Sequence, residues 1–596
     1  MHNITTRLSH IGFSDMPIAP RRAAGIVPSV LAAAALLFPG ASASALAAPA
    51  APPGSTLQLV SAYQGLIDTQ EGSTWSSGAN APFAEPTIAR GEGGDQLQMA
   101  ADWNFGRLFG PAGGTDHYGN FNDSLGDWAG GALPQNEGFS VAQPQLLHDL
   151  DDRGFDRYLL AASATSWSTH QSKIAIAVNK YLGDVDYGNT CVQSLDANFL
   201  PGASPTNFYV DELRIGNTDN GIVMAGNMYG FDDNQFKYSK VWVLPKSELY
   251  NGYMQDCPLV QHAYFDWSLT NPDGSLATSV VPAHSYVGGY VADMINTEAP
   301  GDNGSSSMTL WHVNTQYLDS GSVSFDGVAV NTNAYFNPPN ASQAGTNVQI
   351  NTWDSRVYNA VLQPGALWTV HTVACIGSSD PNTWISCLDW LEIDPNSGAV
   401  RQEGMYGYDG AYMFAPAITA DGDGNAVLAF EASAAYANVG VYFTGRQSSD
   451  APNTLRDLQL LKDGEGCYER EPSNTVGMHS AVDMDPRDGG LFFIDGAYTT
   501  GSDPNCQKND WATRYGVVSF SGPASAAQLA TGSTVARNTA NAVSQKSITG
   551  AHHPVTASSN AKVNRPAKST NHMPKQHAGP VATRSNPGAP VVHRSK

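Results

Sequence analysis

Seven polar residues occupy comparable places in this 596-residue chain, each just before an apolar run that reads as a β-strand. Their carboxylate, imidazole, amide and guanidinium groups are those that general acid–base chemistry or the capture of a polar ligand requires. If the runs are the innermost strands of a ring of sheets, these side chains converge at one mouth of a central channel. An alternative is that such positions are polar only because water reaches them. The seven residues are Glu85, Gln143, Asp211, Glu212, His284, Arg356 and His479.

Four of these residues are candidates for catalysis: Asp211, Glu212, His284 and Arg356. The planar guanidinium of Arg356 can hold a carboxylate or two neighbouring hydroxyls. A salt bridge from Arg356 to Asp211 or Glu212 is an equal alternative. Glycoside hydrolysis needs two carboxyl groups that flank the scissile bond. Because adjacent strand residues point to opposite faces, a hydrolytic pair has to combine carboxylates from different sheets.

Two further patterns have simple structural explanations. Asp421, Asp423 and Asn425 offer the oxygen ligands that Ca²⁺ prefers, but a tight hairpin turn explains them equally well. We expect no other cofactor. His371 ends an apolar run, and we expect a buried core histidine there.

The elements that must position these residues repeat along the chain. Seven times, an alternating apolar run leads through an Asp-, Gly- and Asn-rich turn into a dense apolar run. The dense runs begin at Leu97, Tyr158, Ile222, Met308, Leu367, Val427 and Leu491, and only the spacing before Met308, 86 residues, departs clearly from the rest. Hairpins repeated at such a period indicate radially arranged sheets. We therefore predict an all-β fold, a seven-bladed β-propeller of antiparallel sheets around a central channel.

A six-bladed propeller, which would merge the fourth copy of the repeat into a neighbour, is an alternative. A β-sandwich or a pair of all-β domains is another. In a propeller the ring must close, and the run at residues 56–61 can pair with the run at residues 515–520, which hides two sheet edges. One continuous ring implies a single domain over residues 48–523.

The two ends of the chain differ from this body. Residues 1–47 contain an arginine pair, an apolar stretch and an A-x-A sequence, the pattern of a secretory signal peptide. An uncleaved membrane anchor is the alternative, although the apolar stretch is shorter than a membrane span requires. Residues 524–596 contain nine Lys and Arg and no Asp or Glu. We expect a disordered tail there, and its charge suits contact with an anionic polymer of the cell envelope.

Charge narrows the range of partners. The chain has a formal net charge of −23, and without its two ends the body has 19 Lys and Arg against 53 Asp and Glu. A body this acidic argues against nucleic acid as a partner, because phosphate binding needs a basic surface. No other stretch of the chain is suited to span a membrane. We expect a monomer that is secreted, periplasmic or held at the cell envelope.

The six cysteines favour disulfides, because the chain is expected to be exported. No C-x-x-C spacing occurs, which disfavours a zinc or redox site. Pairing between neighbours along the chain suits a fold of local sheets. It predicts the disulfides Cys191–Cys257, Cys375–Cys387 and Cys467–Cys506.

Several segments resemble exported bacterial β-propellers of the sialidase-like superfamily. They are EPTIA, LRIGNTDNGIVMAGNMYG with KVWVLPKSELYNG, RVYNAVLQPGALWTVHTV with WLEIDPNSGAV, PAITADGDGNAVLAFEAS, VYFTGR and SAVDMDPRDGGLFFIDGAY. The resemblance covers most of residues 80–520 and implies the propeller fold, in a group whose members mostly have no known function. The chain departs from sialidases, since it lacks the Asp-box pattern S/T-x-D-x-G-x-x-W/F. The nearest match, residues 419–423, has Asp423 where the pattern has Gly.

Three functions are compatible with these features. The preferred one is binding of a polar extracellular ligand, best matched by a glycan, at the channel mouth. The second is a glycoside hydrolase or lyase that uses carboxylates from separate blades together with Arg356. The third is a structural or adhesive envelope protein held by its cationic tail.

Overall fold

The computed structural model describes most of the chain between residues 56 and 521. The described residues are 56–67, 84–90, 96–101, 104–109, 117–118, 133–134, 137–151, 156–179, 190–200, 206–250, 260, 262–267, 269–297, 304–376, 383–470, 473–485, 490–501, 506 and 510–521. The predicted signal peptide, residues 1–47, and the predicted tail, residues 524–596, lie outside them.

The strands are numbered along the chain. The first nine are Thr56–Ile67 (β1), Pro86–Arg90 (β2), Gln96–Ala101 (β3), Asn104–Phe109 (β4), His117–Tyr118 (β5), Ser140–Leu150 (β6), Asp156–Ser166 (β7), Gln171–Asn179 (β8) and Thr190–Asp196 (β9). The next nine are Phe208–Asn217 (β10), Gly221–Gly230 (β11), Phe236–Pro245 (β12), Tyr264–Asp266 (β13), Val281–Pro282 (β14), His284–Ser285 (β15), Val291–Thr297 (β16), Ser305–Asn314 (β17) and Ser324–Tyr335 (β18).

The remaining strands follow a long loop, residues 336–356. They are Val357–Gln363 (β19), Ala366–Ile376 (β20), Trp384–Ile393 (β21), Val400–Tyr406 (β22), Ala411–Ala420 (β23), Ala426–Ala434 (β24), Ala437–Arg446 (β25), Gln459–Lys462 (β26), Ala481–Met484 (β27), Leu491–Thr500 (β28) and Asp510–Ser521 (β29). Within the described ranges, helical structure is confined to one short α-helix, Lys246–Leu249 (α1), and a 3₁₀ turn, Leu318–Ser320.

These strands form seven sheets in the described part of the chain. From the inside outward, sheet I is β2–β5, sheet II β6–β9, sheet III β10–β13, sheet IV β14 and β16–β18, sheet V β19–β22, sheet VI β23–β26, and sheet VII β27, β28, β29 and β1. Pairing within the sheets is antiparallel, except that β15 lies parallel to β19 at the inner edge of sheet V. The fold is therefore all-β and built of antiparallel sheets, as predicted.

The innermost strands surround a central channel. The strands β2, β6, β10, β14, β19, β23 and β27 contact one another in that order, and β27 contacts β2. They run in one direction, because Gln143 near the beginning of β6 contacts Asp211 near the beginning of β10, and Asp149 near the end of β6 contacts Asn217 at the end of β10. We call the side on which these strands begin the start face, and the opposite side the far face.

Six copies of the sequence repeat form the first two strands of their sheets. The fourth copy instead forms the second and third strands, β16 and β17, of sheet IV. The innermost strand of that sheet, β14, is only two residues long and precedes the repeat. This extra strand accounts for the long spacing before Met308. The first and last described strands pair with each other. Thr56 of β1 lies opposite Ser521 of β29, as the predicted ring closure requires.

The cores lie between neighbouring sheets. Ile176, Met224 and Trp242 are buried between sheets II and III, while Trp368 and Phe430 are buried between sheets V and VI. Strands β7 and β24 are buried at every position, because sheets cover both of their faces. This burial explains why the second run of each repeat is densely apolar rather than alternating.

Two of the predicted disulfides, Cys375–Cys387 and Cys467–Cys506, are present. Cys191 is also disulfide-bonded, and its predicted partner Cys257 lies outside the described residues. Among the described residues, no helix has the length and apolar character needed to cross a membrane.

Candidate functional site

The innermost strands share a backbone irregularity near the start face. Gln143, Glu212, Ser279 and Ala415 all have positive φ angles, between 49° and 57°. The pairing register shifts beside three of them, in β6, β10 and β23. Such a conformation is costly for residues other than glycine, on the order of 1–3 kcal/mol each, and β-bulges re-aim side chains next to binding sites. The repeated irregularity therefore indicates that the backbone near the start face changes the direction in which side chains point, as it does beside binding sites.

Gln143 joins sheet II to the carboxylates of sheet III. Its amide nitrogen donates to Asp211 Oδ1, and its amide oxygen accepts the backbone N–H of Glu212 at 2.9 Å. Burial and the nearby charge of Glu212 raise the pKa of Asp211, although the hydrogen bond from Gln143 opposes the shift. Three of the predicted residues therefore form one hydrogen-bonded group.

Glu212 is the centre of a buried hydrogen-bond network. Its Oε2 accepts the side-chain amide of Asn227 at 2.7 Å and the hydroxyl of Ser279 at 2.9 Å. Its Oε1 accepts an N–H of Arg356. The second carboxylate bound to Arg356 is Asp354, at 2.8 Å from Nε. The salt bridge considered for Arg356 is thus present, and most of the donors on this guanidinium are already engaged.

Arg214, and not Arg356, has a guanidinium with unpaired donors among the described residues. The residue is 4% exposed, and within the described ranges only Nη1 has a hydrogen-bond partner, the backbone oxygen of Leu213 at 2.8 Å. No described residue bonds to its Nε or Nη2. These two nitrogens form the edge of the guanidinium that binds carboxylates or paired hydroxyls in a bidentate way.

Glu85 is a second buried group whose polar atoms are unpaired in the described part of the chain. The residue is 1% exposed, and neither carboxyl oxygen makes a hydrogen bond to a described residue. Burial raises its pKa to about 8; Arg214 opposes this shift, whereas Asp211 and Glu212 add to it. At neutral pH Glu85 is therefore mainly protonated, and it can donate one hydrogen bond as well as accept others.

His479, Ser480 and Tyr358 complete the group. His479 Nδ1 lies 3.1 Å from the backbone oxygen of Ser480, so the second ring nitrogen, Nε2, is an acceptor, and no described residue donates to it. Burial and the charge of Arg214 lower the pKa of His479 to about 3, which keeps the ring neutral. The hydroxyls of Tyr358 and Ser480 are also buried, and they make no hydrogen bond within the part of the chain that the structure describes.

A cavity of about 80 Å³ lies in the channel beside these groups. Its walls come from six of the seven innermost strands, and Arg214, Tyr358, His479 and Ser480 are among the lining residues. We call Glu85, Arg214, Tyr358, His479 and Ser480 the channel site. The volume is well below the roughly 300–1,000 Å³ of a typical small-molecule pocket. Only a terminal group of a larger ligand fits inside.

His284 lies at the opposite end of the channel from Gln143, Asp211 and Glu212, so the prediction that it lies with them at one mouth was wrong. It belongs to β15 and reaches the far end of the cavity, where its Nδ1 lies 3.9 Å from Asp483 Oδ1. The reason is the extra strand β14, which displaces the fourth repeat outward by one strand. The position equivalent to Gln143 and Glu212 in sheet IV is Ser279, as its positive φ shows.

The segment at residues 283–290 closes the channel on the far face. The N–H of Ser285 donates to Asn217 of sheet III at 2.9 Å, and the N–H of Tyr286 donates to the backbone oxygen of Leu362 of sheet V at 3.0 Å. The Tyr286 hydroxyl donates to Asp483 of sheet VII. Since the segment is held by three sheets, the described part of the channel is blocked at this end.

The remaining predicted residues have local structural roles. Asp421 Oδ1 accepts the N–H groups of Asp423 and Asn425 at 3.0 and 2.9 Å, so this carboxylate caps its own turn. The described residues contain no cluster of three or more His, Cys, Asp or Glu suited to a metal ion, and calcium binding at this turn stays a prediction. His371 is 1% exposed and bonded to the backbone oxygen of Ser355 at 2.8 Å, as expected for a core histidine.

Comparison with known proteins gives structural neighbours only. No protein-family model and no curated protein matches the chain. The solved structures that align with it include a GH93 α-L-arabinofuranosidase of Fusarium graminearum in complex with arabinobiose, at 10% identity and a TM-score of 0.35 over 77% of this chain and 98% of that chain. The phage phi92 endosialidase aligns at 10% identity and a TM-score of 0.36, over 71% and 74% of the two chains.

A Trypanosoma rangeli sialidase aligns at 10% identity and a TM-score of 0.29, over 65% of this chain and 54% of that chain. Similarity at this level carries no argument about substrate or activity. The function has to be argued from the channel site itself.

Proposed function

We propose that this protein binds a polar extracellular ligand, best matched by a glycan, and that the channel site recognises one end of it. The observation that carries the proposal is the convergence of unpartnered polar atoms from Glu85, Arg214, Tyr358, His479 and Ser480. Each buried polar group without a hydrogen bond costs about 1–3 kcal/mol. A ligand group or ordered water that satisfies these atoms recovers that free energy.

The chemistry of the atoms selects the ligand group. Arg214, Tyr358, Ser480 and the protonated Glu85 offer donors, while His479 Nε2 offers an acceptor. A group rich in acceptor oxygens fits this set, such as a carboxylate or the terminal hydroxyls of a sugar. Because the cavity holds only about 80 Å³, the rest of such a ligand lies outside it. Saccharides combine a polar terminal group with an extended body, which is why a glycan fits best.

Binding to an array of acidic and neutral glycans tests this function. We expect the full chain to bind a subset of the array, and we expect Arg214→Gln and Glu85→Ala to weaken that binding at least tenfold. Arg401→Gln is the matched control, because Arg401 is a surface arginine whose ion pairs with Glu392 and Asp394 lie in sheet V. Wild-type binding in both channel variants, or no binding by the wild type, would refute the proposal.

A glycosidase is the second candidate, and one observation favours it. Three carboxyl groups from two separate sheets lie within electrostatic range of each other, and burial raises the pKa of Glu85 to about 8 whereas Glu212 is ion-paired with Arg356. A protonated carboxyl next to an ionised one is the division of roles that general acid catalysis of glycoside hydrolysis needs. Turnover of a bound glycan that Glu85→Gln abolishes without loss of binding would establish the enzyme; binding without turnover would exclude it.

A further inference from the structure

A second pocket lies on the start face, outside the channel. It is formed by the long loop at residues 336–356 together with Ala435 in the hairpin between β24 and β25. The pocket is open and has a volume of about 540 Å³, within the range of typical ligand sites. It shares no lining residue with the channel cavity.

The loop that forms this pocket is rigidly anchored. The buried amide of Gln343 donates to the backbone oxygens of Tyr468 and Val348 at 2.7 and 2.9 Å and accepts the N–H of Tyr468 at 2.8 Å. Ala341 and Ile350 exchange two backbone hydrogen bonds of 2.8 Å, which close the base of the loop. A loop held in this way does not have to be ordered when a ligand binds, and that lowers the entropic cost of binding.

The anchors leave a defined set of side chains free. Asn347 and Gln349 are exposed, and in the described part of the chain their amide groups bond to no other residue. The half-buried hydroxyl of Ser342 is likewise free. Thr346, by contrast, donates to Glu469 and accepts the N–H of Val348, so its hydroxyl is already used.

The lining identifies the class of ligand. None of the described residues that line the pocket is ionisable, and the free groups among them are two amides and one hydroxyl. An amide both donates and accepts, which matches hydroxyl groups of a neutral ligand and gives no advantage to a charged one. We propose that the pocket at residues 342–349 is a binding site for a neutral saccharide, separate from the channel site. This site does not depend on the proposed function of the channel.

The test uses the full chain and a panel of neutral oligosaccharides, cellotriose, maltotriose and xylotriose, measured by titration calorimetry. We expect at least one to bind, and the double variant Asn347→Ala/Gln349→Ala to weaken its binding at least tenfold. Both side chains are exposed and unbonded, so the variant keeps its fold, and an unchanged melting temperature checks this. If the melting temperature falls, Asn347→Asp, which keeps the size of the side chain, replaces the double variant with the same expected loss.

Two controls separate this site from the channel. Asn396→Ala removes an exposed amide from a turn on the far face, and we expect it to bind the neutral saccharide within twofold of the wild type. Arg214→Met alters the channel site, and in this variant we expect the binding transition that the double variant removes to persist. Equal losses in Arg214→Met and the double variant would show a single continuous site and overturn the proposal. Absence of binding to all three oligosaccharides, or wild-type affinity in the loop variant, would also overturn it.

Discussion

The guanidinium of Arg214 lies over the ring of Tyr358, with its central carbon 5.2 Å from the ring centroid. Arg356 approaches the same ring at 5.7 Å. The two arginines differ in what else they contact. Arg356 is paired with Glu212 and Asp354, whereas the partners of Arg214 among the described residues are only this ring and the backbone oxygen of Leu213. A cation–π contact contributes about 0.5–2 kcal/mol, less than a charged group loses on burial. Arg214 is thus kept in a position that folding alone does not favour.

Because burial of Arg214 costs more than its contacts recover, we predict that this residue lowers the stability of the folded protein and contributes to ligand binding. We expect Arg214→Met to leave the free energy of unfolding unchanged or to raise it by about 1 kcal/mol, because an apolar side chain of similar length removes an unsatisfied buried charge. Ligand binding should fall at least tenfold in the same variant. Chemical denaturation and a binding titration measure the two effects. A loss of more than about 2 kcal/mol in stability with full binding would show that Arg214 is structural.

The buried carboxyl of Glu85 predicts a pH effect on stability. The pKa of Glu85 is about 8 in the folded protein, against an ordinary value of 4.5. Between pH 4.5 and pH 8 the folded state therefore holds a proton that the unfolded state has lost. The stability contributed by the protonated form is complete below pH 4.5 and is lost as the pH rises to 8. We expect Glu85→Gln to remove this decline, so that its stability relative to the wild type rises by up to about 1.4 kcal/mol per pH unit.

The control for that measurement is Glu465→Gln, which alters an exposed glutamate paired with Lys462. Denaturation midpoints of the three proteins between pH 4 and pH 9 decide the question. A constant difference between Glu85→Gln and the wild type across this range would contradict a raised pKa for Glu85.

The buried ring of His479 indicates the opposite dependence of stability on pH. Its pKa is about 3 in the folded protein against 6.5 in the ordinary case, so the unfolded state binds the extra proton as the pH falls below 6.5. Stability is therefore lost on acidification through this range, and His479→Gln should remove that part of the loss. Thermal melts of both proteins at pH 4, 5, 6 and 7 measure it. Parallel curves for the two proteins would mean that His479 is not kept neutral.

Gly216 packs closely against the chain that closes the far end of the channel. A Cβ atom at this position would lie 2.3 Å from the backbone oxygen of Ala283, the first residue of the closing segment, and 2.9 Å from Cβ of Pro282, which precedes it. We expect Gly216→Ala to destabilise the protein by about 1–3 kcal/mol, because the backbone has to shift. Gly422→Ala is the control, since a Cβ there meets nothing within 4 Å. Equal stability of the two variants would show that the closing segment moves freely.

The fold could be predicted because each sheet repeats one hairpin pattern. The runs that begin at Ile222 and Val427, for example, became the second strands of sheets III and VI. The misplacement of His284 has a physical reason, since β14 consists of Val281 and Pro282 and two residues show no periodicity. A strand that short gains its pairing from the neighbouring β16, and the sequence contains no local signal for it.

The channel site could be predicted only in part. Glu85 and His479 stood out because they precede their strands, and the structure places both at the channel site. Arg214 was missed, because it lies within the strand sequence LRIGN instead of before it. The available signal was an arginine between two apolar residues, Leu213 and Ile215, of the innermost strand β10. Whether its guanidinium is paired depends on contacts between sheets, which sequence spacing does not reveal.

The most direct test of the central claim is a crystal structure of the full chain with the best-binding glycan from the array. We expect a terminal oxygen-bearing group of the glycan to enter the channel from the start face and to lie within hydrogen-bond distance of Arg214 Nε and Nη2. A glycan bound elsewhere, with only water beside Arg214 and Glu85, would contradict it.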